Sequence, residues 1–247
     1  MKIRVAAVLA ILAAFALALR LAADSPKPAQ DMQGMEHSAL QMSGHMEMSA
    51  HMRLTSLRAK QPGDDERAAQ VVAAARRASE RYRDYKTALA DGFQIFLPNV
   101  PQPMYHFTNY RYAIEAAFAF NPEHPTSLLY EKQSNGGYKL IGVMYTARKA
   151  ATEADLDQRI PLSIAQWHAH TNYCKPPDSE RADVLKPNAR FGLRGTITTR
   201  EECEKAGGTF MPQVFGWMVH VYPDEKDAAA IWSVERQMEH GDHDHMH

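Results

Sequence analysis

The sequence predicts an α+β domain, a small, mainly antiparallel sheet with flanking helices, preceded by a disordered Met/His-rich tail. Three observations carry that expectation. Residues 64–91 hold a helical stripe, the pattern from Ser127 onward turns to short strands bounded by turn residues, and residues 24–63 lack aromatics and are nearly without aliphatics. The 247 residues are 45% hydrophobic and 23% charged. That composition excludes wholesale disorder, a collagen-like chain and a multi-span membrane protein. With 28 Lys and Arg against 29 Asp and Glu, the chain lacks the basic field of a nucleic-acid binder, and no nucleic-acid partner is expected.

Residues 1–23 read as a signal peptide. Lys2 and Arg4 precede an unbroken apolar run from Val5 to Leu19, the charged start and apolar middle of a secretory signal. The run falls short of the roughly 20 residues of a spanning helix, so no stable membrane span is expected after cleavage near Ala22-Ala23. Arg20 makes that cleavage site imperfect and leaves an uncleaved anchor as the alternative. The mature chain is expected in a bacterial periplasm. Residues 24–63 cannot bury enough apolar area to offset their ordering entropy.

A single α+β domain is expected over 64–239. Asp64 and Asp65 favour a helix start. Val71, Val72, Ala75, Ala78, Tyr82, Tyr85 and Leu89 then form a stripe that predicts one helix to Asp91, stopped by Gly92. Pro98, Pro101 and Pro103 force an extended, loop-like stretch before Tyr105-His106, and 110–120 reads as a short helix. Strands are predicted over 127–132 and 138–146, joined by a turn at Asn135-Gly136-Gly137, and over 162–170 and 215–222. Residues 152–158 read as a helical turn. A short helix over 199–206 is capped by Thr199 with Glu202 three positions on. A last helix is predicted over 224–238, followed by a His/Asp-rich tail over 240–247.

Two cysteines, Cys174 and Cys203, form an even count that suits an oxidising compartment. They read as one structural disulfide. The alternative makes Cys174 a thiolate beside His168 and His170.

The tail carries the first chemistry. Of the 21 residues from Met32 to Met52, six are Met (Met32, Met35, Met42, Met46, Met48, Met52) and three are His (His37, His45, His51). Thioether sulfur is a soft donor suited to Cu(I), and imidazole adds capacity for Cu(II) and Zn. A Met stripe usually marks a core face, but the scarcity of other large apolar residues here argues against that. The segment resembles the Met/His-rich segments of periplasmic copper-handling proteins. At the other end, His240, His243, His245 and His247 alternate with Asp242 and Asp244, a loose set of donors with His243 and His245 at its centre.

A second set lies in the folded part. Trp167-His168-Ala169-His170 reads as strand, where alternate residues share a face, so His168 and His170 present their rings together. In Trp217-Met218-Val219-His220-Val221-Tyr222, the residues Met218, His220 and Tyr222 oppose an apolar face. His106 follows the proline-rich approach and Glu131 ends an apolar run. Two His from one strand, with a third His and a carboxylate from others, can make a site for Zn, Cu or Fe. His124 reads as a solvated turn residue. The His-x-His pair invites comparison with cupins and metallo-β-lactamases. Cys174-Lys175 stands where a cupin Glu is expected and Asn172 where the lactamase Asp is required, and both are declined.

The succession Ala90-Asp91-Gly92-Phe93, Met104-Tyr105-His106-Phe107, Pro125 to Glu131, Gly137 to Tyr145 and Gly216 to Pro223 resembles an uncharacterised group of exported bacterial proteins. The resemblance covers roughly residues 65–225 and implies that His106, Glu131 and His220 belong to one site. It brings no activity with it, and the ending after Asp224 departs from that group.

Three functions follow as expectations. The first is a periplasmic transition-metal binding protein, with copper the main ion and zinc a further one, serving tolerance or delivery. The second is a metal-dependent hydrolase or oxidase on the multi-His site, with Glu131 as ligand or base. The third is a non-metal binding domain with a groove of Tyr105, Phe107, Tyr110, Tyr112, Trp167 and Trp217.

Overall fold

The computed structural model describes residues 50–186 and 188–239. In chain order they form β1 (Met52–Leu54), α1 (Asp64–Arg81), α2 (Tyr85–Ala90), β2 (Gln94–Ile95), β3 (Tyr105–Thr108), α3 (Tyr110–Phe118), β4 (Ser127–Lys132), β5 (Tyr138–Ala147), α4 (Glu153–Arg159), β6 (His168–Lys175), a 3₁₀ segment (Asp178–Leu185), α5 (Arg200–Lys205), β7 (Thr209–Gln213), β8 (Trp217–Val221), α6 (Ala228–Ile231) and α7 (Val234–Glu239). The eight strands make one antiparallel sheet in the order β1-β6-β8-β5-β4-β3-β2, with β7 also paired to β6. The class is the mixed α+β that the sequence predicts.

Alternation along the strands gives the sheet two unlike faces. One carries Tyr105, Phe107, Leu128, Tyr130, Val143, Tyr145, Trp167, Ala169, Val219 and Val221, all buried with Val71, Val72 and Ala75 of α1 in the main core. Buried tyrosines need a partner for the hydroxyl: Tyr130 donates to the Tyr82 carbonyl at 2.6 Å and Tyr145 to that of Pro122 at 2.7 Å. This placement corrects the expected aromatic groove. Tyr105, Phe107, Trp167 and Trp217 are interior packing, because they sit on the helix-covered face.

Several boundaries shift for local reasons. The helix expected over 64–91 breaks after Arg81, where the Asp84 side chain accepts from Lys86 N at 2.9 Å and starts α2. The strand expected from Leu162 begins at His168 and runs on to Lys175, since residues after Pro161 close a turn onto its carbonyl. The final helix is two short ones, because Asp227 caps α6 and the Ser233 hydroxyl accepts from Arg236 N. Thr152 and Thr199 cap α4 and α5, the former in a full capping box.

The tail expected to run to Gly63 also ends early. Residues 52–54 pair with β6, and Thr55 is buried with its hydroxyl accepting from Trp167 N. Composition weighs side chains alone, whereas a strand edge supplies backbone bonds whatever the side chains are. Asp64, read from sequence as a dipole-favouring residue, is a buried hub. It accepts from Arg58, Arg67, Ser163 and the Gln61 amide. Arg58 reaches on to Asp157 of α4.

Cys174 of β6 and Cys203 of α5 form a disulfide across a separation of 29 residues, within a buried cluster with Phe191 and Ile197. Both sulfurs are bonded, which removes the thiolate alternative for Cys174. Among the described residues, no helix is long and apolar enough to cross a membrane.

Candidate functional site

The second face of the sheet holds histidine and methionine. Residues directly opposite in an antiparallel ladder project to the same side. His106 pairs with Leu129, Leu129 with Gly142, Met144 with His220, Met218 with His168, and Met52 with His170. One continuous set of side chains therefore crosses β3, β4, β5, β8, β6 and β1. Met104, Leu129, Met144, Met218 and Tyr222 form a buried cluster of their own.

Coiling of the sheet brings β3 and β8 together. β3 and β8 are separated by β4 and β5, so in a flat sheet they would lie roughly 14 Å apart at about 4.8 Å per strand. The His106 and His220 ring centroids are nonetheless 5.6 Å apart. A register irregularity lies at Leu129/Tyr130, where Leu129 pairs with Gly142 but Tyr130 with Leu140, leaving Ile141 as the extra residue. Such a bulge bends the strand and increases its twist. Gly142 permits the close approach, for a Cβ there would lie 2.7 Å from the Val221 carbonyl oxygen and 2.9 Å from Tyr222 Cδ1. Phe96, just past β2, meets Phe215, just before β8, with centroids 6.0 Å apart.

The four predicted histidines form a chain of rings. His106–His220 is followed by His168–His220 at 5.2 Å and His168–His170 at 5.5 Å. His168 and His220 are buried at 2% and 3% exposure, while His106 and His170 at the ends are half-buried. The His220 Nδ1 lies 3.4 Å from the Tyr222 hydroxyl. Burial, and after it the charge of His51, pushes the His170 pKa down to about 4, which keeps its ring in the neutral form that binds metals. Two imidazoles sharing an ion through bonds of about 2.0–2.1 Å in tetrahedral geometry have centroids roughly 5 Å apart. Adjacent rings of the chain are spaced close to that value. Among the described residues, no three His, Cys, Asp or Glu side chains are grouped to hold one ion as they stand, so the pairs match the spacing while a third such donor is not in place.

The other expected ligands fall elsewhere. Glu131 sits past the bulge, opposite Lys139, and among the described residues no contact links its carboxylate to the histidines. His51, expected as a tail ligand, is buried with Nε2 2.6 Å from the Gly195 carbonyl and Nδ1 3.3 Å from that of Thr171. Its ring thus fastens the start of β1 to the segments around Thr171 and Gly195. Met32, Met35, His37, Met42, His45, Met46, Met48, His243 and His245 lie outside the described residues. His124 closes a turn onto the Asn121 carbonyl with its side chain 37% exposed, as the sequence predicts. It stacks on Tyr112 at 4.2 Å and its Nδ1 lies 2.7 Å from Glu115. A polar cleft of about 430 Å³ lies beside it, but its arginines are neutralised within it, Arg77 by Glu123 and Arg81 by Asp91.

Sequence reasoning missed Met104 and Met144. The signal was present for Met144: in 142–146 the residues Gly142, Met144 and Thr146 alternate against Val143 and Tyr145. No protein-family model matches the chain, and neither the curated proteins nor the solved structures give a match.

Proposed function

We propose that this is an exported, periplasmic transition-metal binding protein whose principal ion is copper, serving metal tolerance or delivery. The observation that carries the reading is the ring chain His106–His220–His168–His170, with centroid spacings of 5.2–5.6 Å on one face of a coiled sheet. The Met/His tail supports it. Many weak donors on a tethered segment raise the local ion concentration, and Met48 stands only four positions before Met52, whose strand pairs with His170.

Titration with Cu(II), Cu(I) and Zn(II), read by elemental analysis after desalting, tests this. The wild-type chain is expected to retain metal, and His168→Asn with His220→Asn to lose at least one equivalent. Retention of no metal by the wild type, or equal stoichiometry in the double variant, would overturn the reading. The enzymatic alternative has no specific observation in its favour among the described residues.

A further inference from the structure

Resting on the metal-binding reading above, we infer that the folded site is a mixed sulfur–nitrogen site for a cuprous ion, in which Met144 and Met218 complete the donor set of His168 and His220.

The register makes these four side chains neighbours. Met144 is the direct partner of His220 across β5 and β8, and Met218 the direct partner of His168 across β8 and β6. Met218 and His220 are also alternate residues of β8 and share its face. Opposed side chains have Cβ atoms about 4.5–5.5 Å apart, within reach of a flexible thioether. All four are nearly inaccessible, at 6% for Met144, 7% for Met218, 2% for His168 and 3% for His220.

Filling a core does not account well for this choice of residue. The described residues contain Met52, Met104, Met144, Met211, Met218 and Met238. Three of them, Met104, Met144 and Met218, belong to one cluster, and Met52 faces His170. The helix-covered face, of comparable burial, uses Leu, Val, Tyr, Phe and Trp and no Met. Methionine is concentrated where histidine is.

The chemistry then selects the ion. Thioether sulfur prefers the soft Cu(I) and contributes little to Zn(II), and a neutral S/N set in buried surroundings suits a monovalent ion better than a divalent one. It is also consistent with the described residues, among which no three His, Cys, Asp or Glu are grouped around one ion. His106 and His170, half-buried at the two ends of the ring chain, are placed to pass the ion inward.

The test uses the full chain with Met32, Met35, Met42, Met46 and Met48 changed to Ser, so that tail sulfur does not contribute. Under anaerobic conditions, Cu(I) is titrated against a chromophoric chelator, Zn(II) in parallel, and X-ray absorption reports sulfur and nitrogen around copper. Met144→Leu with Met218→Leu, which conserves volume, is added to that background. The expected result is a sulfur-containing shell in the background chain, a loss of Cu(I) affinity of about tenfold or more in the Leu pair, and a change in Zn(II) affinity of less than about twofold. A nitrogen-only shell, or unchanged Cu(I) affinity in the Leu pair, would overturn the methionine assignment and leave the metal reading standing. Binding of neither Cu(I) nor Zn(II) by the background chain would overturn both. Should the Leu pair not fold, the shell measured on the background chain decides alone.

Discussion

Among the described residues, His168 and Met218 are the one register pair that joins β6 to β8, although these strands are neighbours in the middle of the sheet. β6 is otherwise held by β1 on one edge and β7 on the other. Gly216, between β7 and β8, lies so close to β5 that a Cβ there would be 2.0 Å from the Ala147 carbonyl oxygen. The two buried histidines therefore sit on either side of a seam with little backbone pairing. An ion shared by His168 and His220 would close that seam.

Metal is therefore expected to stabilise the fold itself. A ligand at 100 times its Kd adds about 2.7 kcal/mol when only the folded state binds it. Thermal melts with and without Cu(I) should show a rise in Tm for the wild type and little rise for His168→Asn/His220→Asn. An equal rise in both would place the stabilising ion elsewhere.

The disulfide should matter for stability and not for metal. Cys174 and Cys203 are both buried and bonded to each other. By chain-entropy reasoning, a loop of that size is worth roughly 3–4 kcal/mol. Replacing both cysteines with Ala is expected to lower the urea midpoint accordingly and to leave copper stoichiometry unchanged. A lost equivalent of copper in the folded double variant would return Cys174 to the ligand set.

The two predictions rest on features of different legibility. The alternation in 217–222 and the His-x-His pair were readable because a strand's period is local. The meeting of His106 with His220 was not, because it depends on the bulge at Ile141 and on an approach that only Gly142 allows. Sequence shows a glycine there, but not what it lets in. The burial of His51 is hidden in the sequence for a related reason: its ring nitrogens meet the carbonyls of Gly195 and Thr171, more than a hundred residues away. Glu131 lies two positions past Leu129, the register partner of His106, beyond the bulge and opposite Lys139.

Gly142 gives that account a direct test. Gly142→Ala places a methyl 2.7 Å from a backbone oxygen that cannot rotate aside. Overpacking of this kind costs about 1–3 kcal/mol. The variant should unfold at lower urea and, because the His106–His220 approach widens, bind copper more weakly. Wild-type stability and affinity together would mean that the curvature does not depend on this glycine.

Acid should destabilise the metal-free protein in two separable steps. His170 has a folded pKa of about 4 against an ordinary 6.5, through burial first and the charge of His51 second. As pH falls the unfolded chain takes up this proton before the folded one does. The contribution is complete above about 6.5, is lost between there and about 4, and changes no further below. Asp64 follows at lower pH. The Arg58 guanidinium, and then the Ser163 hydroxyl, hold its carboxyl far below the ordinary 3.8, so its contribution is present above that value and is lost as pH falls below it. Urea midpoints measured across pH with a chelator present should therefore fall first between about 6.5 and 4 and again below about 4. His170→Gln should flatten the first limb alone, and Asp64→Asn should reduce the second, to which Asp91, Glu115, Glu123, Asp155 and Asp157, also held below their ordinary values, contribute, with a lower midpoint at neutral pH because Arg58 and Arg67 lose their buried partner. A profile level from pH 6.5 to 4 would show that His170 takes up its proton as readily in the fold as outside it.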